Sequence, residues 1–182
     1  ANQYSNLSLQ MYALYLKVGY VRTEEEQIYA QEMFRTLLPK IAYEELDFWG
    51  KVYHSKAHYW YHHMNQDFPQ CYRYSERWLA LFNQSPKAIA RHPAEYLKGL
   101  HKLLNALFNT LQHERFCEIM EVLEAFPDQY DMSKNKNIEG LYHLFWYIHQ
   151  IKFHFLRGTF SEGVKLVEPL MKIIKEDTYS WD

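Results

Sequence analysis

The sequence predicts an all-α fold, a right-handed α-solenoid of about four antiparallel helix pairs. Three observations carry that expectation. Apolar residues recur at helical spacing along nearly the whole chain, and no segment alternates with period two for long. Alternate breaks between the apolar stripes are too short for anything but a hairpin of helices. The second helices of successive pairs share a pattern that repeats at about 44–48 residues, a period at which internal repetition marks a solenoid.

The elements follow in order, eight helices covering more than about 65 % of the residues. The first, 4–21, carries Leu7, Met11, Leu14, Val18 and Val21 on one stripe; the second, 23–38, opens on Thr23-Glu24-Glu25-Glu26, a capping box in which hydroxyl and glutamate satisfy free backbone N–H groups. Helix 42–64 has Leu46, Trp49, Tyr53, Ala57, Trp60 and Met64, with further apolar residues on its other sides (Phe48, Val52, Tyr59). A helix apolar on more than one side is buried on more than one side, so this one is expected to lie between its own partner and the next pair. Asp67 caps 67–84, whose stripe is Phe68, Cys71, Ser75, Trp78 and Phe82. Pro93 at the first position and Glu95 in the first turn start 93–111; 113–126, 137–157 and 160–176 follow, the last opened by a second capping box, Thr159-Phe160-Ser161-Glu162. Pro169 removes a backbone hydrogen bond inside that helix, which is expected to kink or break near Lys165. Within pairs the links are Arg22, Asn65-Gln66, Gln112 and Gly158; between pairs, Asn83 to His92 and Pro127 to Lys136 are longer and polar.

Composition narrows the function. At 182 residues with a formal charge of −2, the chain is expected to be a single helical-repeat domain, 1–182. Acidic and basic residues alternate throughout, without the basic stripe that nucleic-acid binding needs. No apolar run approaches the ~18 residues of a membrane span, and Cys71 and Cys117, far apart, read as buried thiols in a reducing, cytoplasmic setting. The chain starts without Met and stops just after a helix, which suggests a fragment of a longer chain.

The repeat itself is Phe68-x-x-Cys71-Tyr72-x-x-Ser75-x-x-Trp78, matched by Phe116-x-x-Ile119-Met120-x-x-Leu123-x-x-Phe126 and by Phe160-x-x-Gly163-Val164-x-x-Val167-x-x-Leu170. Arg157-Gly158-Thr159-Phe160-Ser161-Glu162-Gly163-Val164 resembles the turn and second-helix start of a tetratricopeptide repeat, and the chain is similar to the divergent, aromatic-rich tetratricopeptide-like proteins of bacteria. It departs from that family in its longer helices and in Ile151, which stands where a small residue is usual. The resemblance implies a scaffold whose first helices line a concave groove that takes a peptide or partner protein. It would use Lys51, His54, His58, Tyr61 and His62 of helix 42–64, His101 and Asn105 of 93–111, and Tyr147 and His154 of 137–157. Such a groove is expected to respond to pH between about 5 and 7.5, where unperturbed imidazoles titrate.

The sequence offers few groups for catalysis or metal binding. His54, His58 and His62 share a helix face, but the outer two are ~12 Å apart, too far for one ion; no metal or cofactor is expected. There is no H-E-x-x-H, P-loop, G-x-G-x-x-G or G-x-S-x-G, so no catalytic residues are assigned and an enzyme is not expected. Glu44, Glu45 and Asp47, like Glu118, Glu121 and Glu124, read as solvated faces. The alternative is a small-ligand-binding or enzymatic helical domain with an enclosed aromatic and histidine pocket. The last helix, apolar over most of its circumference at Val164, Val167, Leu170, Met171, Ile173 and Ile174, is expected to leave apolar surface uncovered by the other helices, for Tyr179 and Trp181 to fold back over or a second copy to cover.

Overall fold

Thr23, Asp47 and Asp67 start three helices by the same means. Their side-chain oxygens accept from the backbone N–H groups of Glu26 (3.1 Å), Gly50 (2.6 Å) and Gln70 (3.3 Å), donors that a first turn leaves without partners. Glu26 completes the first of these by accepting from the Arg22 amide (2.8 Å). The computed structural model describes residues 2–176; it is 83 % helix, with no strand among the described residues. Its contacts gather into two units, Ala1–Ser85 and Pro86–Asp182.

The first unit holds α1 (Asn2–Val18), α2 (Glu24–Leu37), α3 (Phe48–Met64) and α4 (Phe68–Asn83), with a 3-10 turn at Tyr43–Glu45. Helix α3 therefore starts later than its apolar pattern suggests, because Asp47 takes the cap. It packs against α4, its expected partner, and against α1 of the preceding pair. Tyr12 and Tyr15 of α1 lie against Trp60 (ring centroids 4.7 and 5.0 Å apart), and the Val21 amide donates to the Met64 carbonyl (2.9 Å). On the other side, Phe48 meets Phe82 edge-on, and the buried Cys71 sits 3.9 Å from the Tyr59 carbonyl. Ser55 and Ser75, fully buried, turn their hydroxyls back onto carbonyls of their own helices, so this small-residue seam carries no orphaned hydroxyl.

The second unit comprises α5 (Pro86–Arg91), α6 (Pro93–Asn109), α7 (His113–Glu124), α8 (Phe126–Gln129), α9 (Lys136–Leu156), α10 (Phe160–Lys165) and α11 (Val167–Glu176). Helices α5 and α8 occupy stretches expected to be links; both begin at or next to a proline, whose fixed φ suits a first turn. The break at Leu166, between α10 and α11, falls where Pro169 predicts it. Helix α6 lies beside α9, with α7 packed on both and α10 and α11 packed on α9. Gly163 permits the last contact, since a Cβ there would stand 3.2 Å from His154 Cβ. Two expectations fail here. Thr159 does not cap α10, because its hydroxyl is engaged by His154 and Glu162 pairs with Lys165; and Cys117 is half-buried rather than enclosed. Val164, Val167, Met171 and Ile174 face solvent as expected, whereas Tyr179 and Trp181 lie outside the described residues. Glu118, Glu121 and Glu124 are exposed, as are Glu44, Glu45 and Asp47.

Four turns share one backbone device. Gly19 (φ 73°), Gln66 (φ 56°), Leu111 (φ 55°) and Gly158 (φ 70°) are left-handed, at intervals of 45 to 47 residues. The last three close with the same bonds, the next amide reaching back to the carbonyl five residues before it: Asp67 to His62 (2.9 Å), Gln112 to Leu107 (3.0 Å) and Thr159 to His154 (2.9 Å). Glycine alone takes this conformation without a Cβ penalty. Leu111 is 71 % exposed, so its side chain returns little burial for that strain. Leu111→Gly and Gln66→Gly are each expected to stabilise the chain by about 0.5–1 kcal/mol, read as higher urea midpoints. A lower midpoint for Leu111→Gly would contradict this account of the turn.

Candidate functional site

Helical spacing puts His101 and Asn105 on one face of α6, and His149 and Lys152 on one face of α9. The four side chains join in a seam. Lys152 Nζ donates to Asn105 Oδ1, Asn105 Nδ2 lies 3.1 Å from His101 Nε2, and His101 Nδ1 lies 2.9 Å from His149 Nε2. One end fixes the direction of all three bonds. An ammonium only donates, so Asn105 Oδ1 must accept and its NH2 must donate to His101 Nε2. His101 then carries its proton on Nδ1 and donates to His149 Nε2, which leaves the His149 proton on Nδ1. That last N–H is fully buried and has no partner among the described residues.

Aromatic rings line the seam. Phe145 stacks on His101 (4.1 Å between centroids), Phe116 meets His149 edge-on, and Lys152 Nζ stands 5.1 Å from the centre of Phe108, which in turn touches Phe155 (5.8 Å). Burial, reinforced by the charges of Lys152 and Lys102, holds His149 neutral far below the usual imidazole range, and burial lowers Lys152 to about 8. Of this group the sequence indicates His101 and Asn105 but not His149 or Lys152. The available signal was the second stripe of α9, Ile138, Tyr142, Phe145 and His149, every member of which is buried.

The α3 residues named from sequence do share a face, and the chain's own aromatic side chains cover it. His54 is buried, with Tyr4 and Tyr43 each 5.0 Å away; His58 stacks on Tyr74 (4.5 Å) and meets Phe34 edge-on (5.0 Å). Phe34 also stacks on Tyr61 (4.3 Å), Lys51 Nζ sits over the Tyr43 ring, and His62 pairs with Asp67 (3.2 Å). His54 is thus a packed interior residue, not one that can meet a partner. Burial, then the Arg77 charge, lowers His54 to about 4; burial, then its histidine neighbours and Arg77, lowers His58 to about 3. His62 is lowered by burial against the opposing pull of Asp67. The titration expected between about pH 5 and 7.5 is accordingly displaced to acid for His54 and His58.

Tyr147 and His154 separate from His101 and Asn105. They lie on the side of α9 opposite His149 and Lys152, where the His154 ring is tied to Thr159 (2.8 Å) and its Cβ backs onto α10. Among the described residues, no three histidine, cysteine, aspartate or glutamate side chains gather where they could hold one metal ion, and no helix is long and apolar enough to cross a membrane. No family model, curated protein or solved structure matches this chain.

Proposed function

We propose that the chain is a tetratricopeptide-like helical-repeat scaffold that binds a protein or peptide through its first helices. The observation that carries this reading is the left-handed turn recurring at intervals of 45 to 47 residues, closed three times by the same hydrogen bonds. A repeated turn of one geometry gives successive pairs one geometry, the basis of a solenoid. The lateral packing of α1 on α3 and of α6 on α9 is further support, with α4 behind α3 and α7 behind α6. Two cysteines that form no disulfide suit a reducing, cytoplasmic compartment. The enclosed-pocket alternative gains nothing at the histidine row of α3, where rings at stacking distance already fill one another's faces.

Within this reading the contacts on the first unit fall to side chains of α3 that keep some exposure, His62 and Tyr61. A peptide-display library screened on the intact chain is expected to yield a 1:1 binder. His62→Ala or Tyr61→Ala should weaken it at least about tenfold, about 1.4 kcal/mol, at unchanged helicity. No enrichment, or an affinity that neither variant alters, overturns the proposal. The exposed stripe of α10 and α11 is assigned to self-association. Sedimentation velocity should then show a dimer that grows with concentration and is lost in Val164→Glu; a monomer at every concentration removes that assignment.

A further inference from the structure

We propose that the α6–α9 seam is a carbonyl-trapping site, in which the Lys152 amine, held by Asn105 and bordered by Phe108 and Phe155, forms an imine with an apolar aldehyde. The inference stands apart from the scaffold reading and rests on what surrounds the amine. Lys98, Lys134 and Lys165 each pair with a carboxylate, at 3.2, 3.2 and 2.8 Å. Lys152 has no such partner among the described residues. Among the described residues its acceptor is the Asn105 amide oxygen, one contact for three possible donors, and the Phe108 ring lies beside it.

The titratable groups that the seam's hydrogen bonds join to Asn105, His101 on α6 and His149 on α9, supply no negative charge. A cation in these surroundings favours its neutral form. With the amine lowered to about 8, roughly a fifth is unprotonated near pH 7.4, against about a thousandth for an ordinary lysine. The neutral nitrogen keeps its lone pair while an N–H still donates to Asn105.

The chemistry balances without a further reactant. The nitrogen lone pair attacks the aldehyde carbon, the C–O π pair moves to oxygen, and the carbinolamine loses that oxygen with the two amine hydrogens as water. The product is a C=N bond that water can reverse. Specificity for an apolar aldehyde comes from the approach. Phe155, one turn beyond Lys152, is 59 % exposed and touches Phe108, so an aryl or alkyl group gains contact there that a small polar aldehyde does not.

The test is reductive trapping of the whole chain with benzaldehyde and cyanoborohydride at pH 7, with peptide mapping at early times and circular dichroism to show an unaltered fold. Lys134, Lys136 and Lys175, all exposed, are internal controls. Lys152 is expected to be modified at least about tenfold faster than these, and the ratio should fall as pH rises to 10 and the controls lose their protons. Phe155→Ser should slow benzaldehyde trapping while leaving formaldehyde trapping at Lys152 unchanged. Modification of Lys152 no faster than the controls at pH 7, or a ratio indifferent to pH, overturns the proposal; equal slowing of both aldehydes by Phe155→Ser overturns the apolar specificity.

Discussion

Between pH 6.5 and pH 4 the first unit is expected to lose stability of the order of a few kcal/mol, through His54 and His58. Their folded pKa values, about 4 and about 3, lie below the ~6.5 of an unfolded histidine. In that window the unfolded chain binds protons that the folded chain refuses, so stability falls as pH falls and levels off only below the folded values. Each group contributes up to about 1.4 kcal/mol per pH unit, less where water reaches the ring and screens its charge. A total of a few kcal/mol is a large share of the about 5–15 kcal/mol that holds a domain folded.

His58→Phe separates this effect from ordinary acid denaturation by carboxylates. Phenylalanine keeps the stacking on Tyr74 and Phe34 and removes the titration. The difference in urea midpoint between pH 7 and pH 4.5 should shrink by about half in the variant. Equal differences in the variant and the parent chain would mean that the row titrates outside this window.

The all-helical class was legible because it depends on periodicity, which is local. Thr23, Asp67 and Pro93 start helices where their chemistry says they should, and Pro169 breaks the last one. The missed features are those in which two signals compete. Asp47 reads as part of a helix until its carboxylate takes the Gly50 amide and starts α3 at Phe48, more than a turn later than expected. Thr159 fits a capping box by spacing, but the His154 ring, one helix away in sequence, claims its hydroxyl first.

Helix α9 is the instructive case for the site. It carries two apolar stripes, and the one more visible in sequence, Leu141, Leu144, Ile148, Ile151 and Phe155, ends on an exposed phenylalanine. The other contains the buried His149 and leads to Lys152, polar residues that break its periodicity and hide it. On α3 the shared face of Lys51, His54, His58, Tyr61 and His62 was readable from spacing. That Phe34 and Tyr43 would cover it was not, since residues far apart in sequence meet there only after folding.

Asn105→Asp is expected to reverse the hydrogen-bond chain of the second unit and to abolish the reactivity of Lys152. Aspartate has nearly the shape of asparagine, but it only accepts. Its oxygens would take the Lys152 ammonium on one side and require His101 Nε2 to donate on the other. His101 Nδ1 must then accept, His149 must move its proton to Nε2, and the buried orphan at His149 Nδ1 becomes an acceptor instead of a donor. Imidazole 15N shifts should show both rings changing tautomer. The new carboxylate also favours the charged amine, and raising its pKa by about two units cuts the neutral fraction, and with it the rate of reductive trapping at pH 7, about a hundredfold. Stability should change in step. In the parent chain a lysine lowered to about 8 makes the folded state lose its proton before the unfolded one does, so stability rises between pH 8 and the ~10.4 of a free lysine. In Asn105→Asp that rise should vanish, with the stabilisation already present at pH 7. Unchanged imidazole tautomers together with undiminished trapping at Lys152 would show that Asn105 does not orient the chain, and that the amine owes its character to burial alone.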